Sequence, residues 1–417
     1  MRWPGKVLPL TLLLLQAALL LLLGIPCGGG GGLAYGFELL PPESPVRIGV
    51  SGLVDVETYV TDAPAPGLLF SDDGVFLNPR GTLFLDVNLG SHVYAFVQAR
   101  VDRGFDPGVV EEGDVRLDEY FVRWTPLDSP ALNVQVGKFA TVFGNWAPRH
   151  LSWENPFINA PVPYENVLGI TDQAAPLSRE AFLNRRRIPD KKREWLPMLW
   201  GPSYAHGVSV SGRLEELDYA FEVKHASISS RPSAWEAREV DWEEPTFTGR
   251  LGWRPDAAWN LGASFSTGAY LLPEGDRSRD LLLPKGTDRG DFSQDTLGLD
   301  FSYAHRRLEV WSEVMLSRFE VPRVGDVSTL AYYIEAKYKL TESLFLASRW
   351  NQQFCDEVAD GRGGEVDWDR ELFRADLSLG YRFTRNLQTK LQYSYGHERG
   401  PGANADHLLA AQVTLKF

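Results

Sequence analysis

From Arg370 to Phe417 the chain alternates apolar and polar residues in three successive runs, and this constrains its fold more than any other feature. In the first run Phe373, Ala375, Leu377, Leu379, Tyr381 and Phe383 share one face, while Arg374, Asp376, Ser378, Gly380 and Arg382 share the other. Thr384-Arg385-Asn386 breaks the pattern; then Leu387, Thr389, Leu391, Tyr393 and Tyr395 oppose Gln388, Lys390, Gln392 and Ser394. Past a Gly/Pro/Asn stretch from Gly400 to Asn404, the last run sets Leu409, Ala411, Val413, Leu415 and Phe417 on one face. A period of two is the signature of strands, because successive side chains point to opposite faces of a sheet. The runs are long enough for a tilted strand to cross the hydrocarbon layer of a bilayer. Their aromatic residues sit near the ends, where an interfacial girdle would place them.

The same grammar runs back through the chain. Val46 to Val60 alternates, with Val46, Ile48, Val50, Val54 and Val56 against Arg47, Ser51, Asp55 and Glu57. Further strands are expected at 81–89, 92–101, 115–125, 131–139, 205–213, 218–226, 246–254 and 259–269, then at 293–303, 308–319, 328–340 and 344–354. Very short breaks such as Gly90-Ser91 and Pro255-Asp256-Ala257 alternate with longer polar segments at 61–79, 103–114, 227–244, 270–291, 320–327 and 355–369. The count is sixteen strands, bounded by fourteen and eighteen. Short turns on one rim and long loops on the other are how outer-membrane barrels are built.

A chain that ends in an amphipathic strand with a terminal Phe resembles bacterial outer-membrane β-barrels of the porin type, over nearly all of its length beyond the leader. The resemblance is architectural and points to no subfamily. It implies an all-β, transmembrane, antiparallel up-and-down barrel with long extracellular loops and short periplasmic turns, in the outer membrane of a diderm bacterium. It also implies surrounding outer-membrane lipid, and trimers, which are common among sixteen-stranded porins. The competing fold is a large soluble sandwich or propeller. Against it, the apolar faces carry almost no charge through their middles, and Trp124, Trp253 and Trp259 flank tight turns. The runs at 115–125 and 131–139 alternate least cleanly, and Lys138 falls on the nominal lipid face, as a bulge or an end-of-strand position would explain.

The start of the chain fits export. Arg2 and Lys6 precede an apolar stretch from Val7 to Ile25, and Gly32-Leu33-Ala34 has the form of a signal-peptidase site. Residues 1–34 are read as a signal peptide, 35–45 as a short periplasmic segment and 46–417 as the barrel. An uncleaved anchor is one alternative, and a lipidated Cys27 another that Gly24-Ile25-Pro26 disfavours. Cleavage removes two bases and no acid, taking the net charge from −13 to about −15, which excludes an ordinary nucleic-acid binder. Cys355 is then the only cysteine, so neither a disulfide nor a cysteine metal framework is expected.

A sixteen-stranded barrel encloses an aqueous lumen, so a diffusion channel for small polar or charged solutes is the expected function. Lys337, Lys339, Arg349, Arg374, Arg382 and Lys390 should face that lumen from the later strands, and Asp300, Glu309 and Glu313 from the pair before them. Opposed clusters of this kind would set up a transverse field; local salt bridges are the plainer alternative. The largest insertion, 140–204, is too long for an idle loop and too aromatic for simple disorder. It follows the fifth strand, in which it resembles porin constriction loops, and Trp146, Arg149, His150, Trp153, Glu154 and Asn155 are candidates to line the channel, with aromatic faces suited to sugars or planar solutes. A compact loop that packs on itself and caps the barrel is the other reading. Arg185, Arg186, Arg187, Lys191, Lys192 and Arg193 form the one basic run, and could meet lipopolysaccharide phosphates.

Neither catalysis nor a cofactor is expected: the seven His show no metal-binding spacing, and a Ser/His pairing of His206 with Ser209 or Ser211 would have to come from a single strand. A barrel that sheathes a protein partner and one plugged by its own loop remain the alternatives to a channel.

Overall fold

The computed structural model describes residues 37–39, 44–62, 67–69, 74–102, 114–185, 194–231, 242–273, 280–400 and 405–417. The expected signal segment, with Cys27, lies outside the described residues, as do Arg186, Arg187, Lys191, Lys192 and Arg193.

Sixteen strands form one closed antiparallel barrel. They are β1 (Val46–Thr61), β2 (Val75–Leu89), β3 (Val93–Asp102), β4 (Asp114–Trp124), β5 (Asn133–Phe139), β6 (Ala205–Leu214), β7 (Leu217–Lys224) and β8 (Thr246–Trp253). The second half comprises β9 (Trp259–Ala269), β10 (Ser293–His305), β11 (Leu308–Val321), β12 (Gly325–Lys339), β13 (Leu344–Cys355), β14 (Glu371–Arg382), β15 (Leu387–Arg399) and β16 (Ala405–Lys416). Each pairs with its neighbours in sequence, and β1 closes the ring onto β16 from Leu53↔Lys416 to Thr61↔Leu408. Closure leaves no sheet edge, which a strand structure in lipid requires.

The register sorts the side chains as alternation predicts. Leu251, Leu297, Leu299 and Leu377 stand exposed on the outside, while Asp300, Glu313, Glu335, Arg349, Asp376 and Lys390 are buried inside. The same two-residue period separates His206, on the outer face, from Ser209 and Ser211 on the inner face, so that Ser/His pairing does not form.

Three local features differ from the alternation pattern. Strand β2 begins at Val75, well before position 81. Among the described residues the pairing with β3 ends at Gly81↔Val101, two positions short of Pro79, whose missing N–H leaves no described ladder partner unsatisfied. The segment 320–327 is a tight hairpin rather than a long loop, its turn made by Arg323 and Gly325 at positive φ. Between β3 and β4 the register slips, with Gln98 opposite Glu119 and Ala99 opposite Leu117. Asp118 is the extra residue of a bulge, so Arg116 and Asp118 face inward and, beyond the bulge, Phe121 does too. Lys138, next to last in β5, stays on the outer face, buried beside Tyr120 and His206.

The insertion after β5 folds into the lumen and also packs over the extracellular ends of the strands, where Phe182 and Trp195 join Tyr270, Val321 and Trp368 in one core. It carries a 3-10 turn at Ala147–Arg149, helical turns at Val162–Glu165 and Arg179–Leu183, and a hairpin of Val167–Thr171 with Trp195–Pro197. Its Trp146, Tyr164, Leu168, Leu196 and Trp200 pack into one core with the inward wall residues Met315, Phe319 and Tyr333. The barrel therefore has a hydrophobic centre of its own, supplied by the inserted segment.

Candidate functional site

The insertion is fastened to the wall along a continuous path. At its start Thr141 Oγ1 donates to Glu222 at 2.7 Å, and the Gly144 amide donates to Ser264 Oγ at 3.1 Å. Gly144 has φ +70°, and a Cβ there would stand 2.3 Å from Glu313 Oε1, so only glycine fits. Glu313 accepts from the Asn145 amide and, at 2.7 Å, from the Tyr164 hydroxyl; Asn145 Nδ2 donates to Asp300 at 3.3 Å. Arg149 donates to Glu335 at 2.5 Å and to Tyr333 Oη at 3.0 Å, with its guanidinium over the Trp311 ring.

The basic strands hold the far side. Arg349 donates to Asn159 Oδ1 at 2.8 Å and to Asp376 at 2.8 Å, while Arg374 pairs with Glu165 and reaches the Ala160 carbonyl at 2.5 Å. Lys390 donates to three carbonyls of the insertion, Ser152 at 2.7 Å, Asn155 at 2.9 Å and Phe157 at 3.0 Å.

Every basic and acidic lumen candidate thus faces inward, but the expected bare field across an open pore is absent. Arg349, Arg374, Lys390, Asp300 and Glu313 bind the insertion instead. Lys337 and Lys339 both pair with Glu309, at 3.1 and 2.5 Å. Arg382 donates to Gln388 at 2.9 Å and lies over the Trp153 ring.

The loop candidates divide in the same way. Trp146 is buried against Tyr164, at 4.6 Å between ring centroids, so its face is not available to a solute. Trp153 stands between Arg382 and Lys416, and burial raises the pKa of Glu154 beside it. Asn155 closes a local turn onto the Phe157 amide. His150 Nδ1 meets the Ala147 carbonyl at 2.6 Å and its Nε2 the Tyr204 hydroxyl at 2.7 Å; burial, then the charge of Arg100, lowers its pKa to about 4. This makes Nδ1 the donor and Nε2 the acceptor. Arg185 does not reach outward to lipopolysaccharide: it donates to the carbonyls of Gly169, Phe182 and Trp368 and pairs with Asp369.

One arc of wall behaves differently. On β1–β4 the buried charges pair chiefly with one another: Arg80 with Asp55 at 3.2 Å and Glu57 at 2.6 Å, Arg100 with Asp118 at 3.0 Å, and Arg116 with Asp102 at 3.1 Å. Between this ladder and the insertion runs a void of about 30 Å³, lined by Asp55, Arg80, Arg100, His150, Asn155 and Glu165. Leu68 of the first extracellular loop closes over it. Of these wall residues only Asp55 and Glu57 stand out in the sequence; charges two apart in Arg100/Asp102 and Arg116/Asp118 were the available signal for the rest.

No known protein family and no curated protein matches the sequence. Solved structures do. An anion-selective porin from Comamonas acidovorans superposes with a TM-score of 0.56 at 10% identity, covering 89% of this chain and 100% of its own. The outer membrane channel DcaP of Acinetobacter baumannii gives 0.56 at 11% identity, over 92% and 100% of the two chains. OmpT of Vibrio cholerae gives 0.55 at 8% identity, over 91% and 100%. Identities this low carry the fold alone. The chain has the fold of a porin-type, sixteen-stranded outer-membrane β-barrel.

Proposed function

We propose that the protein is an outer-membrane diffusion channel of restricted aperture, without enzymatic activity, in which water and small ions move along the β1–β4 wall while the insertion excludes larger polar solutes. The observation that carries this reading is the asymmetry of the lumen. The insertion is bound chiefly to β7 and β9–β15; on β1–β4 it meets Glu119 and Gln98, while Asp55, Glu57, Arg80, Arg100, Asp102, Arg116 and Asp118 pair chiefly with one another and a void remains. The names of the structural neighbours, porins and a channel, support transport. Asp55, Glu57, Asp102 and Asp118 outnumber Arg80, Arg100 and Arg116 there, and His150 is neutral, so a weak cation preference is expected. Single-channel recording under a salt gradient tests both points: ohmic steps with a cation-selective reversal potential support the reading, and silence from folded protein overturns it.

A void of about 30 Å³ holds roughly one water, which also favours a second reading, a barrel closed by its own insertion. In that case the extracellular cavity of about 440 Å³, lined by Ile170, Pro176, Phe182, Trp195 and Tyr270, would be the working surface. A sheath for a protein partner fits poorly, since the chain itself occupies the lumen.

Assembly belongs to the same proposal. Trp253, Trp259, Tyr303, Tyr338 and Tyr381 girdle the periplasmic edge from β8 to β14. Among the described residues of β1–β3 no aromatic side chain points outward; that face is Ile48, Val50, Leu83, Ala95, Val97 and Ala99. A largely aliphatic face, edged by Phe37 opposite Val50 and by the Phe417 ring against Gly52, suits contact with further copies of the chain, and one solved OmpT neighbour is described as a trimer form.

A further inference from the structure

Beneath the insertion the lumen wall of β2–β5 departs from the polar lining that an aqueous channel needs. Phe84, Tyr94, Phe96, Phe121 and Phe139 all point inward, as their pairings with Gln98, Arg123 and Asp86 on the same face require. Their rings form a chain, with centroids 6.1 Å apart for Phe84–Phe96, 6.3 Å for Tyr94–Phe96, 5.5 Å for Phe96–Phe121 and 6.4 Å for Phe121–Phe139. Four of these rings border a cavity of about 350 Å³ roofed by Ala140 and Val142. Gly137, opposite Phe121 at φ +143°, lets the two strands approach closely beside it: a Cβ there would stand 2.6 Å from the Phe121 Cα.

The remaining wall is polar. Arg123 donates to Gln135 Oε1 through Nε and Nη2, at 3.0 and 2.8 Å, and its guanidinium lies over the rings of Tyr94 and Phe121. Glu119 accepts from the Ala140 amide at 2.8 Å, and Ser209 and Ser211, on the adjoining strand β6, continue the lining next to Gln135. This chemistry selects a class of ligand. A purely apolar solute would bury Arg123, Gln135 and the serines without replacing their water, at a cost in free energy. An anion would meet Glu119, and a cation Arg123. A neutral ring with C–H faces and a rim of hydroxyls satisfies both halves, the faces against aromatic rings and the hydroxyls against the polar side chains.

We propose that this periplasmic vestibule is a carbohydrate-binding site, in which a neutral sugar ring stacks on the half-buried Phe96 and its hydroxyls reach Arg123, Gln135, Ser209 and Ser211. The site goes beyond the channel reading: a void of about 30 Å³ does not pass a sugar, so the vestibule is a binding site on the periplasmic side of the insertion. Binding itself does not depend on conduction.

Titration calorimetry of the full chain with maltose, in lauryldimethylamine oxide micelles and with sodium benzoate as the planar anionic control, is the test. Saturable maltose binding is expected, with no binding of benzoate, and weakening of about tenfold in Phe96→Leu, which keeps bulk but loses the ring. Should the ring variant fail to fold, Ser211→Leu, which fills the cavity from the adjoining strand β6, must abolish the signal. Absence of saturable binding by folded, heat-modifiable protein overturns the proposal, as does equal affinity in the variants or binding of benzoate in place of maltose. Maltose bound by a protein that is silent in bilayers would sink the channel reading and leave the site; open channels without maltose binding would sink the site alone.

Discussion

Lys390 Nζ lies 2.7 Å from the carbonyl oxygen of Ser152, joining the middle of β15 to the deepest turn of the inserted segment. The same ammonium also donates to the carbonyls of Asn155 and Phe157, so a single buried cation satisfies three backbone acceptors. Replacing it by methionine leaves those acceptors without a donor in a water-poor interior, while removing the desolvation cost of the charge. Lys390→Met should destabilise the seat of the insertion by about 2–3 kcal/mol without opening the barrel. Guanidinium unfolding in micelles and limited proteolysis within 150–160 measure it; unchanged stability and protection would show that this tether does not hold the segment.

His150 sets a pH dependence. Burial holds its pKa near 4 in the folded protein, below the ordinary 6.5, so the unfolded or detached segment binds the proton first. The contribution is therefore complete above pH 6.5, is lost as pH falls and is gone near pH 4, a total of roughly 3 kcal/mol. Burial raises the pKa of Glu165, which acts in the opposite direction, so the comparison must be with His150→Gln. The melting temperature of the wild type should drop more steeply between pH 7 and pH 4.5 than that of the variant; parallel curves would contradict the assignment.

Arg100 and Asp118, 3.0 Å apart on the β1–β4 wall, test where ions pass. Arg100→Gln removes one positive charge from the lining and should move the reversal potential further toward cation selectivity. Lys339→Gln, on the opposite wall and paired with Glu309, should leave it nearly unchanged. Equal shifts from the two variants would place the path elsewhere.

The aliphatic face of β1–β3 gives a prediction about assembly. Val97→Arg should convert oligomers to monomers on native gels or in sedimentation. Leu299→Arg, which puts the same charge on the outer face of β10, should cost comparable insertion energy, about 2–4 kcal/mol at mid-membrane, without changing the assembly state. Monomers in both, or in neither, would refute the interface.

What the sequence made legible follows from which forces act locally. Side-chain direction in a strand depends on the period of two, so the inward direction of Arg349, Arg374, Lys390 and Glu313 can be read from alternation. Their partners were not readable, because Arg349 meets Asn159 across 190 positions and no local rule fixes such a contact. The aromatic content of 140–204 pointed to an ordered segment, yet those rings face inward to one another and to Phe319 and Tyr333 rather than toward a solute. In the aromatic wall that does face a cavity, Phe121 lies beyond the bulge at Asp118, which reverses its parity along β4 and obscures its orientation, while on β3 apolar residues such as Ala95, Phe96 and Val97 occupy both faces. The paired charges of β1–β4 were overlooked for a similar reason: each strand shows two at most, and only closure of the ladder assembles them.

The most direct measurement is single-channel conductance in a planar bilayer of the wild type beside a variant in which residues 145–160 are replaced by a short Gly/Ser linker. The insertion confining the lumen predicts small ohmic steps from the wild type and steps several times larger from the variant, with the cation preference reduced as the path widens. Equal, large steps from the two proteins would contradict a lumen filled by its own loop.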